Sequence, residues 1–156
     1  MAPEVGSVAP DFTLKNQDNT EVTLSSFRGV APVLLVFYPF AFSRICTGEL
    51  RELRDGLGSY TAAGVEVMAI STDPTYALKA YAEQDSYRFT LLSDFWPHGA
   101  VSVDYGVFND KAGMAVRGTF LLDVEGAVTF AEVNGRGEPR DQSSWVRAVE
   151  ALRTVG

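Results

Sequence analysis

The chain of 156 residues holds a single cysteine, Cys46, and a single histidine, His98. Cys46 lies in the stretch FYPFAFSRICTGEL, with Ser43 three residues before it and Pro39 seven before it. A cysteine reacts as thiolate, so the question is whether its surroundings favour an anion. If Ser43 is the N-cap of a helix, Cys46 occupies the third helical position. There it faces free N–H groups and the positive end of the helix dipole, both of which favour negative charge. The third position usually suits a Glu or Gln that closes a capping box. With Cys there instead, the Ser43 hydroxyl can face the sulfur. It can donate to the thiolate or accept from a substrate O–H. Pro39 has no N–H and a rigid ring, so it can wall off the sulfur without a competing donor. A lone cysteine is also a common buried filler, and spacing alone leaves both readings open.

One cysteine rules out an internal disulfide and a Cys-x-x-Cys pair. With one histidine it also rules out a zinc site built from several Cys and His. The expectation is therefore no structural zinc; no other metal and no cofactor is expected either. Any redox chemistry at Cys46 must be completed by a molecule outside the chain.

The elements that must position these residues follow from patterning. The segment DFTLKNQDNTEVTL predicts two short strands around a polar turn at 16–19. The continuous apolar runs PVLLVFY (32–38) and VEVMAIST (65–72) predict central strands covered on both faces. Between them Leu50, Leu53 and Leu57 fall on one face of a helix, with Arg51, Glu52, Arg54 and Asp55 opposite. Strand, helix and strand make a right-handed crossover unit. A second helix is predicted over 74–85, with Pro74 in its first turn. FTLLSD reads as a strand, and FWPHGAVSVDYG as a loop with a short helix. GTFLLD and AVTFAEV form a hairpin turning at Glu125-Gly126. DQSSWVRAVEALRTV is an amphipathic helix with Trp145, Val149 and Leu152 on one face. The expected fold is α/β and thioredoxin-like. It has a mixed central sheet, helices on both faces and an N-terminal β-hairpin, in a single domain over 1–156.

Composition narrows the class. The chain is 46% hydrophobic and 21% charged, as in ordinary globular proteins. Its net charge of −7 gives no electrostatic footprint for nucleic acid or anionic membrane. The N-terminal residues lack a basic region followed by an apolar core, so the expected location is the cytoplasm.

The stretch PFAFSRIC matches the peroxiredoxin signature Pro-x3-Thr/Ser-x2-Cys. VAPDFTL, LLSD and RGTFLLD also match family segments, in one order along nearly the whole chain. The stretches LVFYPFAF, GELRELRD, LLSDFWPHGAVS and YGVFN resemble the one-cysteine, AhpE-type (alkyl hydroperoxide reductase E-like) peroxiredoxins of actinobacteria. The resemblance implies a thiol-dependent peroxidase in which Cys46 attacks the peroxide and becomes a sulfenic acid. It implies that Ser43 hydrogen-bonds the peroxide, in place of the Thr of many members, and that Pro39 shields the site. Arg117 matches the active-site arginine, and a fixed cation there favours thiolate and polarises the O–O bond. Substrates would be hydrogen peroxide, organic hydroperoxides and peroxynitrite. The reductant would be an external low-molecular-weight thiol such as mycothiol, or a small redoxin. The resemblance also implies a homodimer, with further assembly in some members.

Around these residues, Glu49 is a supporting candidate that would orient Arg117 through an ion pair, or else a solvated carboxylate. Trp96, a second supporting candidate, and His98 read as loop packing and a cap. Arg44 reads as solvent-facing. Phe40 and Phe42 suit either an apolar collar for organic peroxides or core packing. Two other functions compete: a non-enzymatic redox-sensing or chaperone-like module, and a hydrolase pairing Cys46 with His98.

Overall fold

A computed structural model describes residues 1–135 and 138–155. The expected domain over 1–156 also includes 136, 137 and 156, which lie outside the described residues. The N-terminal hairpin is β1 (Thr13–Asn16) and β2 (Glu21–Thr23), followed by a 3-10 turn, Leu24–Phe27. Next come β3 (Val33–Phe37), α1 (Arg44–Asp55), α2 (Leu57–Ala62) and β4 (Glu66–Ser71). The chain continues through α3 (Thr75–Asp85), β5 (Thr90–Ser93) and α4 (Ala100–Asp104). It closes with β6 (Phe108–Asn109), β7 (Met114–Ala115), β8 (Arg117–Leu122), β9 (Val128–Asn134) and α5 (Gln142–Val155).

Seven strands form one mixed sheet in the order β2-β1-β5-β4-β3-β8-β9. β3, β4 and β5 run parallel, and β8 lies antiparallel to β3. The continuous apolar runs explain why β3 and β4 are central. Leu34 and Val36 enter a cluster with Leu50 and Leu53 of α1, Leu78 and Tyr81 of α3, and Trp145 of α5. Leu35 and Phe37 point the other way, onto Val101 and Tyr105 beside α4, Ile70 and Phe120. Alternate residues of one strand thus serve two cores. Each fully buried Leu contributes about 1.5–3 kcal/mol.

Two features depart from the sequence reading. The helix after Cys46 breaks at Gly56, whose N–H still bonds the Glu52 carbonyl at 3.0 Å, and α2 starts afresh. Leu57 therefore belongs to a second helix, although it still packs against the α1 cluster. A small hairpin, β6–β7, occupies a stretch that carried no strand prediction. It is too short for alternation to show, and Gly113 supplies a positive φ of 74° in its turn.

The register of β3 and β8 positions the site. Val36 pairs with Thr119 and Val33 with Leu122. Arg117, at the start of β8, therefore lies by the carboxyl end of β3, where the chain turns into α1. Crevices at the carboxyl ends of parallel strands are where open α/β sheets place their ligands.

Candidate active site

Helix α1 begins as its sequence predicts. Ser43 is the N-cap, with extended backbone, and its Oγ accepts from the Cys46 amide at 3.3 Å. Cys46 is the third helical residue, and its side chain is 0% exposed, sunk in the cluster with Tyr38 and Tyr81. The next residue, Thr47, bonds the Tyr81 hydroxyl at 3.0 Å, which ties the first turn of α1 to α3.

Arg117 reaches this sulfur across 71 residues of sequence: its Nη2 donates to Cys46 Sγ at 3.5 Å. Its Nε donates to Glu49 Oε1 at 3.0 Å, and both side chains are only 6% exposed. Glu49 is thus the partner of Arg117 rather than a solvated carboxylate. It sits one turn after Cys46 on the same helix face, which is why one helix can present the sulfur and orient its cation.

Arg140 is the residue that sequence reasoning missed. It precedes α5, and its side chain is wholly buried. Its Nη2 donates to Glu49 Oε1 at 2.9 Å, its Nε to Oε2 at 3.0 Å, and its backbone amide to Oε2 at 3.1 Å. Nη1 donates to the carbonyls of Phe37 (2.8 Å) and Gly118 (3.3 Å) and to Thr119 Oγ1 (3.2 Å). The guanidinium also lies over the Trp145 ring, 5.6 Å from its centroid. With Arg117 included, the Glu49 carboxylate accepts four hydrogen bonds, which fills its acceptor capacity. Burial pushes the Glu49 carboxyl upward, but the hydrogen bonds and charge of Arg140, then the charge of Arg117, outweigh it. The carboxyl ends below its ordinary value of 4.5. Two guanidiniums around one carboxylate leave positive charge facing the sulfur. The sequence held one clue: Arg140 stands at the start of a helix, where a cation is disfavoured by the dipole unless it is paired elsewhere.

The segment between β3 and α1 is built differently. Pro39 follows β3 and is partly buried, and Phe40 and Phe42 are 43% and 48% exposed. The two rings are therefore not core residues. Phe42 has a left-handed backbone, φ 67°, and its ring packs on Tyr81 at 4.9 Å between centroids. That conformation costs a bulky residue about 1–3 kcal/mol. Arg44 is exposed, as expected.

Trp96 and His98 are not brought to the sulfur by any described contact. Trp96 is 79% exposed, so the loop-packing reading fails for it. With Tyr76 and Phe95 it borders a groove of about 560 Å³. The ring Nε2 of His98 sits 2.7 Å from the Gly113 carbonyl, which closes the β6–β7 turn. A Cys46–His98 pair is not formed.

A comparison with family models matches residues 5–131 to the AhpC/TSA family. Among curated proteins, alkyl hydroperoxide reductase E of Mycobacterium tuberculosis is 52% identical over 148 residues, covering 95% of this chain and 97% of the relative. Peroxiredoxin Bcp of Escherichia coli is 37% identical over 131 residues, covering 80% and 82%. Among solved structures, the reduced 2-Cys peroxiredoxin of Plasmodium vivax superposes with a TM-score of 0.88 at 30% identity, covering 96% of this chain and 82% of that one.

Proposed function

This chain belongs to the AhpC/TSA family of thiol-dependent peroxidases, and from that premise we propose that Cys46 is the atom that attacks the peroxide. The observation that carries the assignment is the 3.5 Å contact between Arg117 and the Cys46 sulfur at a capped helix start. In the proposed step the Cys46 thiolate forms an S–O bond with the terminal peroxide oxygen as the O–O bond breaks. Sulfur loses two electrons. The departing alkoxide or hydroxide gains them, takes a proton and leaves as alcohol or water; from peroxynitrite the group that takes the electrons and leaves is nitrite. Charge grows on the departing oxygen, so donors already aimed at it lower the barrier. Arg117 is one such donor. The O–H of Ser43, whose oxygen is engaged by the Cys46 amide, is the second. Pro39 closes one side without an N–H. Glu49 and Arg140 are positioning residues that act through Arg117.

The product is a Cys46 sulfenic acid. With one cysteine in the chain, an external thiol must displace water to form a mixed disulfide, and a second thiol then releases Cys46. A low-molecular-weight thiol such as mycothiol, or a small redoxin, fits this role. Hydrogen peroxide, organic hydroperoxides and peroxynitrite are the proposed oxidants. The exposed Phe40 and Phe42 rings favour an organic tail at the entrance. We place the enzyme in the cytoplasm, where such thiols are kept reduced. Among the described residues no helix is long and apolar enough to cross a membrane. The exposed aromatics Tyr76, Phe95 and Trp96 on one groove support a homodimer through that face.

Mass spectrometry of the protein after one equivalent of peroxide tests the assignment. Cys46 should gain one oxygen and lose it on addition of thiol, and Cys46→Ser should abolish peroxide turnover without loss of fold. Oxidation no faster than that of a free cysteine would reject it.

A further inference from the structure

We propose that Asp73 is a positioning residue that holds residues 40–42 closed over Cys46 and so sets how fast an external thiol reaches the oxidised sulfur. The inference rests on the reading of Cys46 as the reacting sulfur. It starts from a mismatch. The Cys46 side chain has no exposed surface, yet its sulfenic acid has to form an S–S bond with another molecule. A peroxide oxygen needs only a narrow opening. A thiol with a carbon skeleton needs the covering segment to move.

That segment hangs on Asp73. The Ala41 amide donates to Asp73 Oδ2 at 2.8 Å, and Ala41 packs against the cluster that contains Cys46. Asp73 itself is fixed from the sheet. Ser71 Oγ, at the end of β4, donates to the same oxygen at 2.7 Å and accepts the Asp73 amide at 3.3 Å. Ser93 Oγ, at the end of β5, donates to the Asp73 carbonyl at 2.7 Å. The carboxylate is therefore a post that does not depend on α1, and the segment that leads from β3 into α1 is bonded to it by one amide. The residue after that amide, Phe42, is the one with the left-handed backbone. Releasing the Ala41 bond lets Phe42 leave that conformation, so an open segment relaxes rather than springing back. The next residue, Ser43, caps α1 through the Cys46 amide, so the same movement loosens the first turn that presents the sulfur.

The test uses Asp73→Ala and Asp73→Asn in the full chain, with three rates measured for each. The first is labelling of reduced Cys46 by a bulky maleimide. The second is oxidation by hydrogen peroxide. The third is loss of the sulfenic acid on addition of glutathione. A charge-assisted hydrogen bond of this kind biases an equilibrium by about tenfold or more. Asp73→Ala should therefore speed maleimide labelling and sulfenic acid reduction about tenfold while slowing peroxide oxidation. Asp73→Asn keeps a carbonyl acceptor for Ala41 and should stay within about threefold of the parent. Labelling and reduction rates of Asp73→Ala within twofold of the parent would overturn the proposal. So would an Asn variant changed as much as the Ala variant. If Asp73→Ala does not fold, Ser71→Ala removes the hydroxyl that fixes the carboxylate and should shift the same rates in the same direction; unchanged rates there overturn it too. A parent protein that peroxide fails to oxidise would reject the reading of Cys46, while the maleimide rates would still decide the role of Asp73.

Discussion

The two sides of Cys46 are held by different means. Beneath the sulfur, Glu49 joins two buried arginines, each with further partners. Above it, residues 39–43 carry two half-exposed rings, one left-handed residue and one amide bonded to a distant carboxylate. The side that aligns charge is overdetermined, and the side by which we propose that reactants enter is lightly held. Transition-state stabilisation needs donors that do not reorganise as charge moves. Access for a second molecule needs the opposite.

The contrast is most severely tested at Arg140. Arg140→Ala leaves the buried Glu49 carboxylate with Arg117 as its one charged partner, and removing one member of a buried ionic group costs about 3–5 kcal/mol. Urea unfolding should show a loss of that size, together with slower oxidation. A loss under about 1 kcal/mol would mean that the lower side is as lightly held as the upper. Arg117→Ala comes next. Glu49 retains Arg140, so stability should fall less than in Arg140→Ala. Oxidation, however, should slow by about 10²–10³, as when one donor to a developing oxyanion is removed. Stopped-flow oxidation and urea unfolding on the same sample separate the two effects.

Acid should loosen the lower side first. The Glu49 carboxyl lies below its ordinary 4.5 in the folded protein, so its contribution is fully present above that value. It is lost as pH falls below 4.5 and through the depressed folded value. Thermal melts below pH 4.5 should therefore show a steeper loss for the parent than for Glu49→Gln; parallel curves would remove Glu49 as the cause. The smallest effect lies on the upper side. Phe42→Ala and Phe42→Gly both lose the ring contact with Tyr81, but only glycine adopts a positive φ freely. Phe42→Gly should be the more stable by about 1 kcal/mol, and equal stabilities would mean that Phe42 is not strained.

Much of this arrangement was legible in the sequence, for local reasons. The run 32–38 is apolar throughout and 65–72 is apolar at its centre, Val67 to Ile70, which marks strands covered on both faces. Ser43, Cys46 and the leucines of α1 follow helical spacing, so the cap and buried face could be read within fifteen residues. Arg117 was not reachable that way. It came from the resemblance of RGTFLLD to a family segment, because strand register decides what faces a strand's first residue. Arg140 escaped both routes. It sits in the polar stretch EPRDQSS, whose composition reads as a solvated turn, and its partners lie 91 residues back at Glu49 and 103 back at Phe37. The exposure of Trp96 was misread because an aromatic residue in a loop gives no sign of whether anything covers it.

The distances along the chain that hid Arg140 also order events in time. Glu49 meets Arg117 across 68 residues and Arg140 across 91. Helical turns close before such long loops do, so the first turn of α1 should form, at least transiently, before the cation docks beside the thiol. Peroxide sensitivity should switch on late, as the last strand and helix dock. With Cys46 as the proposed reacting sulfur, its oxidation rate should then serve as a clock for the completion of folding.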